Sequence, residues 1–200
     1  MMRKTLDRLI SWTGLIMAVV LAVAGALLIY ASSFVASNVK EQLSQQNITM
    51  PAAAALETQD QKDALLEFAG QKMETGAQAK AFADHYILVH MNTQSNNKTY
   101  SEVSAEYLKA AKDPSADPAQ VKTLGDLRES LFMGNTLRGL LLNAYAFGTM
   151  GTIALYAGIG ALIGAALLLA LGLLGLRHAR TVEDTAPERA VATRAVPQNA

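Results

Sequence analysis

The chain has 200 residues, no cysteine, and equal numbers of basic and acidic side chains, 17 of each. The lack of cysteine excludes disulfides, thiol catalysis and thiolate metal sites. No large basic surface accompanies the zero net charge, so we expect no nucleic-acid partner. Hydrophobic residues make up 51% of the chain. Two uncharged apolar stretches, one near each end, indicate a membrane protein.

The first apolar stretch, residues 9–39, follows a short basic segment, residues 1–8. A bilayer core about 30 Å thick needs about 20 helical residues, so this stretch predicts a transmembrane helix with an outer extension. Its apolar run is longer than the roughly 7–15 residues of a cleaved signal core, so we expect a retained anchor. Trp12 and Tyr30 would place one aromatic ring at each membrane interface.

Small residues recur at every fourth position of the first stretch and cluster again in the second. In lipid, such residues let two helices approach closely. We expect the two spans to pack on each other, and a homodimer through the GxxxG pattern is the alternative. The predicted packing positions are Gly14, Ala18, Ala22 and Ala26 in the first stretch, and Ala157, Gly160, Ala161, Gly164 and Ala165 in the second.

Residues 40–138 predict a small helical domain between the spans. Asn47 is expected to end the first helix in the left-handed conformation, and a short extended piece should follow it before Pro51. Gly70 and Gly76 indicate a turn, and residues 92–98 a polar loop. Helices are predicted within 52–68, from Ala77, from the Thr99–Glu102 capping box to Asp113, and from Pro118 onward.

The second uncharged stretch, residues 139–176, would be about 57 Å long as a helix, nearly twice the hydrocarbon thickness. Counting back about 20 residues from Arg177 reaches Tyr156 as the outer anchor, so residues 139–155 should project beyond the membrane. Two interpretations of this projection stay open. Its large side chains either pack on their own domain or form a surface for another membrane protein; they are Leu140, Leu141, Leu142, Tyr145 and Phe147.

The charges near the two stretches predict the topology. Arg3, Lys4 and Arg8 precede the first stretch, and Arg177 and Arg180 follow the second. By the positive-inside rule both termini are cytoplasmic, in a multi-pass protein of the plasma membrane. The segment between, with 13 acidic and 10 basic residues, is then extracytoplasmic.

The remaining residues, 177–200, predict a disordered cytoplasmic tail because they hold little apolar surface. The predicted fold class is therefore all-α: a two-pass transmembrane helical hairpin with a small helical extracytoplasmic domain between the spans.

Neither stretch contains an acidic or basic residue, which argues against transport, since ion and proton pathways place such groups in the membrane. The middle segment has two histidines, His85 and His90. A five-residue step on a helix leaves their rings about 140° apart, poor geometry for one metal ion. We predict no catalytic, cofactor or metal site.

Several segments resemble an uncharacterised actinobacterial family of two-pass membrane proteins. The resemblance covers residues 9–176 and is carried by residues 39–51, 77–91, 98–103 and 134–145. Members of that family often carry the label "aromatic ring-opening dioxygenase", which implies an iron site. The resemblance brings no catalytic residue to any position of this chain, and the histidine spacing does not favour that chemistry.

Three functions are therefore carried forward. The first is a non-catalytic accessory or structural subunit of a larger membrane or cell-envelope complex, in contact with the lipid bilayer. The second is an extracytoplasmic module that binds or senses a small molecule or lipid, with Phe82, Tyr86, Tyr100 and Tyr107 lining one pocket. The third is an iron-dependent ring-opening dioxygenase.

Overall fold

The computed structural model of the protein describes residues 2–181, and these are helical with no strand, which confirms the predicted all-α class. One isolated antiparallel bridge pairs Thr49 with Lys72. Two short 3₁₀ turns and one π-helical turn, Ala83–Ile87, interrupt the α-helices. The six α-helices are α1 (Met2–Gln45), α2 (Gln59–Leu65), α3 (Gly76–Phe82), α4 (Leu88–Ser95), α5 (Tyr100–Lys112) and α6 (Pro118–Thr181).

Helices α1 and α6 are long and apolar enough, by length and composition, to cross a membrane. Only 11% of the residues in the most apolar window of each are buried within the chain. The core helix of a soluble protein is mostly buried, so this exposure indicates an apolar surrounding. Helix α6 ends at Thr181, five residues past the predicted end of the second stretch. The rest of the predicted tail, 182–200, lies outside the described residues.

The chain divides into two compact units, the first being Met1–Leu27 with Gly158–Ala200 and the second Leu28–Ala157. In the first unit α1 and α6 run antiparallel: Gly25 faces Gly158, and Gly172 faces Ser11 and Leu15. Small buried residues recur at every seventh position of both helices, the period of a left-handed coiled coil. They are Ser11, Ala18 and Gly25 on α1, and Gly158, Ala165, Gly172 and Ala179 on α6, and we call this set the small-residue seam.

The second unit is built around large side chains instead. Its main core includes residues from α1, α2 and α6 and from the connecting segments, with Leu43, Met50, Leu65, Met73 and Leu141 fully buried. A smaller cluster joins α4, α5 and α6 through Met91, Val103 and Leu131.

Asn47 ends α1 with φ 51°, as predicted, and the next residues form the predicted extended piece. The Met50 amide donates to the Gln71 carbonyl (2.8 Å) and the Met73 amide donates to the Ile48 carbonyl (3.0 Å). Gly70 makes the return turn with φ 70°.

Three local predictions need correction. The region 52–68 is not one helix, because Leu56 is extended and Thr58 starts a new helix after it. Gly76 does not lie in a turn: it is the first residue of α3. Most of the predicted loop 92–98 is helical, since α4 continues to Ser95.

Three of the short helices begin with the same capping box. In each, a threonine hydroxyl accepts from the third amide of the helix, and the side chain at that third position accepts from the threonine amide. The pair Thr99 and Glu102 confirms the prediction for α5. The other two pairs are Thr58 with Gln61 and Thr75 with Gln78.

Candidate functional site

The structure spreads the predicted packing positions over different sides of their helices. Ala18 and Ala165 lie buried on the small-residue seam. Gly14, Ala22, Ala161 and Gly164 are partly buried, and Ala26, Ala157 and Gly160 are exposed. A four-residue step turns a helix by 400°, so a stripe of period four drifts around the surface, whereas period seven drifts by only about 20°. The prediction therefore missed Gly25, Gly158 and Gly172, which a search of the sequence for a seven-residue spacing would have found.

The predicted partner surface on α6 divides into two faces. Leu141 is fully buried in the main core, and Leu142 packs against the same core. Tyr145 lies between the faces, with the Lys80 ammonium 5.5 Å from its ring centroid. Leu140 and Phe147 are exposed. Leu141 and Leu142 therefore pack on their own domain, whereas Leu140 and Phe147 remain available as a surface for another protein.

The exposed face continues along α6 in both directions. Met133, Leu140 and Phe147 are 57%, 58% and 53% exposed and lie seven residues apart. Met150, 51% exposed, follows on the same side. These four residues, which we call the apolar stripe, extend about 25 Å along the helix. A heptad spacing suits the packing of another helix along this face.

A charged network fixes the opposite side of this part of α6. In the π-helical turn, Asp84 accepts hydrogen bonds from Lys80 (2.5 Å) and from Arg138 of α6 (3.1 Å). Arg138 Nε also donates to the Ala83 carbonyl (3.0 Å). A π turn often marks a functional position, and here it presents both acceptors to one guanidinium. These contacts tie the face of α6 opposite the apolar stripe to the π-helical turn.

The same contacts shift two pKa values. The hydrogen bond from Lys80, assisted by Arg138, lowers the pKa of Asp84 even though partial burial acts in the opposite direction. Asp84 in turn raises the pKa of Lys80, through the hydrogen bond first and its charge second. Both groups are therefore held in their charged forms near neutral pH.

The histidines do not fit the iron site that the family label implies. His85 Nδ1 lies 2.7 Å from Asp60 Oδ2, and His90 Nδ1 lies 2.7 Å from the Tyr86 carbonyl oxygen. Among residues 2–181 no three His, Asp or Glu side chains gather where they could hold a metal ion. A two-histidine, one-carboxylate site would need all three ligands around one point.

The four aromatic residues predicted to share a pocket do not do so. Phe82 and Tyr86 stack on each other with ring centroids 5.0 Å apart and pack against the main core. Tyr100 and Tyr107 line a separate cleft of about 500 Å³ between α5 and α6. Its other lining residues are Gly125, Arg128, Glu129 and Phe132.

A second cleft of about 380 Å³ lies in the second unit between α1, α3 and α6. Its lining includes three glycines, Gly76, Gly148 and Gly151. Two of its hydroxyls, on Thr149 and Thr152, already donate to backbone carbonyls of their own helix. These two hydroxyl donors are therefore already paired and do not need a ligand as a hydrogen-bond partner.

No family model, no curated protein and no solved structure matches this chain. The similarity to the actinobacterial family therefore stays a prediction. The site that emerges from the geometry is the apolar stripe, with the charged network behind it.

Proposed function

We propose that the chain is a non-catalytic integral membrane protein that serves as an accessory or structural subunit of a larger membrane or envelope complex. It crosses the plasma membrane twice, with both termini in the cytoplasm and the segment between the spans outside. The basic residues beside the apolar stretches support this orientation.

Two tyrosines support the position of the outer membrane interface. Tyr30 and Tyr156 are 72% and 70% exposed. Gly151 lies against Ser32 and Val35, so in the antiparallel register the two tyrosines stand at about the same height. Trp12 lies 18 residues before Tyr30, about 27 Å along α1, which matches the hydrocarbon thickness. Tyrosine and tryptophan are enriched at such interfaces.

The apolar stripe is the observation that carries the proposed function. It begins on the outer side of Tyr156, where water rather than lipid would cover it. More than half of each of its four side chains is exposed, and large apolar side chains grouped on one exposed face often mark a protein interface. Residues 139–155 carry no charge, so the matching surface should be apolar as well. We assign it to the outward extension of a membrane helix in a partner protein.

Substitution on the stripe tests this assignment. Leu140→Glu places a charge in the centre of the stripe, and Leu108→Glu makes the same change at a similarly exposed leucine of α5. A tagged chain purified in mild detergent should recover a stoichiometric membrane protein, which Leu140→Glu should lose and Leu108→Glu should keep. Recovery of the wild-type chain alone, or equal recovery by both variants, would contradict the proposal. If the recovered partner is a second copy of this chain, the stripe forms a homodimer interface and not a contact within a larger complex.

The topology has its own test, because the chain has no native cysteine to interfere. A membrane-impermeant maleimide should label Lys109→Cys in intact cells and should label Lys4→Cys and Arg180→Cys only after lysis. Labelling of either terminal position in intact cells would overturn the proposed orientation.

A further inference from the structure

The cleft between α5 and α6 has the size and the lining of a site for a small organic molecule. Its volume of about 500 Å³ falls within the usual range for ligand pockets. The Tyr100 and Phe132 rings form one wall, with centroids 5.9 Å apart. At Gly125 a Cβ atom would stand 3.2 Å from Tyr107, so the absence of a side chain keeps that part of the cleft open.

The cleft also holds a cation that the chain leaves incompletely satisfied. Arg128 Nε is buried, and within the described part of the chain it has no hydrogen-bond partner. The guanidinium lies 5.2 Å from the centroid of the Tyr107 ring. Arg138 offers the contrast, since it donates to both Asp84 and the Ala83 carbonyl. Nε is covered by the chain itself, so a molecule in the cleft would meet the two terminal nitrogens of the guanidinium, and no described residue forms an ion pair with them.

We propose that this cleft binds a small monocarboxylate that carries an aromatic ring. The planar guanidinium of Arg128 matches a carboxylate, with which it forms two parallel charge-assisted hydrogen bonds. The three aromatic side chains offer faces and edges against which a flat ring packs. Glu129 lines the same cleft and repels a second negative charge, so a dianion is disfavoured. This inference concerns a different part of the second unit from the apolar stripe and does not rest on the proposed function.

Four matched small molecules test separately whether the ring and the single negative charge are each needed for binding. Phenylacetate carries the ring and one charge, phenylacetamide the ring alone, acetate the charge alone, and phenylmalonate the ring and two charges. With the full chain in detergent, calorimetry or ligand-observed NMR should show saturable binding of phenylacetate. Phenylacetamide should bind at least about tenfold more weakly, the size expected when a charge-assisted pair is lost. Acetate should also bind more weakly because it buries no ring, and phenylmalonate because Glu129 repels its second charge. No saturable binding of phenylacetate below about 10 mM, or equal binding of phenylacetamide, would overturn the proposal.

Two variants place the ligand in the cleft. Arg128→Gln should weaken phenylacetate binding at least about tenfold. Lys109→Gln, which removes an exposed cation of α5 outside the cleft, should leave it unchanged. Wild-type affinity in Arg128→Gln would contradict the assignment.

Gly125→Ala provides an independent test if Arg128→Gln fails to fold. The added methyl group narrows the cleft beside Tyr107 and should weaken binding several-fold while the thermal unfolding transition is retained. Unchanged binding in a folded Gly125→Ala protein would equally contradict the location.

Discussion

The two units use the same pair of long helices but pack them in opposite ways. In the first unit small residues face each other across the seam, and large side chains point away from it. In the second unit large side chains such as Leu43 and Leu141 face inward and charged groups join the elements. In lipid, burying a leucine against another helix gains little, so close backbone contact decides the packing. In water, burial itself stabilises, by about 25 cal/mol for each Å² of apolar surface.

The largest expected difference lies between two adjacent leucines of α6. Leu141→Ala removes a fully buried side chain and should lower the free energy of unfolding of the second unit by about 3 kcal/mol. Leu140→Ala removes an exposed one and should cost less than about 0.5 kcal/mol. Circular dichroism during thermal or denaturant unfolding in detergent measures both. Equal losses would mean that the two faces of α6 are not distinct.

The next largest change in stability is expected from substituting one of two glycines in the second unit. A Cβ on Gly76 would stand 2.9 Å from the Ala144 oxygen and from Tyr145 Cα, and both are backbone atoms that cannot rotate away. Gly76→Ala should therefore cost about 2 kcal/mol, as overpacking does. A Cβ on Gly139 would meet nothing within 4 Å, so Gly139→Ala should be neutral or slightly stabilising. The same unfolding experiment compares them, and a stable Gly76→Ala protein would show that α3 does not lie so close to α6.

A matched pair in the first unit tests the seam against the GxxxG pattern. A Cβ on Gly25 would stand 2.9 Å from the Gly158 oxygen and from Leu162 Cγ, while Gly160 has open space. Gly25→Ala should weaken the hairpin by about 1–2 kcal/mol, and Gly160→Ala should leave it unchanged. Unfolding by sodium dodecyl sulfate in mixed micelles measures the change in hairpin stability for each variant. The reverse order would place the important contact on the exposed side and indicate a second copy there.

The smallest effect concerns the charged network. At pH 7, Asp84→Asn should cost about 1 kcal/mol, since it weakens the pairing of Arg138 and Lys80. The pKa of Asp84 is lowered in the folded protein, so its contribution is fully present above its ordinary pKa of 3.8 and is lost as the pH falls through the folded value. Unfolding curves at pH 7 and pH 3 should therefore differ less for Asp84→Asn than for the wild type. An unchanged difference would show that another group controls the acid response.

Local signals in the sequence predicted the features that depend on neighbouring residues. The length of the apolar stretches, the stop at Asn47 and the capping box at Thr99 are of this kind. The boxes at Thr58 and Thr75 carry the same pattern and were readable too.

Features that join distant residues were not predictable in this way. Asp84 and Arg138 are 54 positions apart in the sequence, and no local pattern indicates that they pair. The π turn shifts the phase of the helix after Ala83, so a fixed period of 3.6 residues misplaces the side chains beyond it. The side of α6 on which Leu140 lies also depends on these contacts.

The three capping boxes have one further consequence, for acidic environments. The boxes of α2 and α3 rely on glutamine, which does not titrate, whereas the box of α5 relies on Glu102. Hydrogen bonds from the Thr99 backbone and hydroxyl lower the pKa of Glu102, so that box persists above its ordinary pKa of 4.5 and opens as acid protonates the carboxylate. Acidification should thus fray the start of one helix before its neighbours. Since that start carries Tyr100, acidification would loosen one wall of the aromatic cleft before it affects the other two capping boxes.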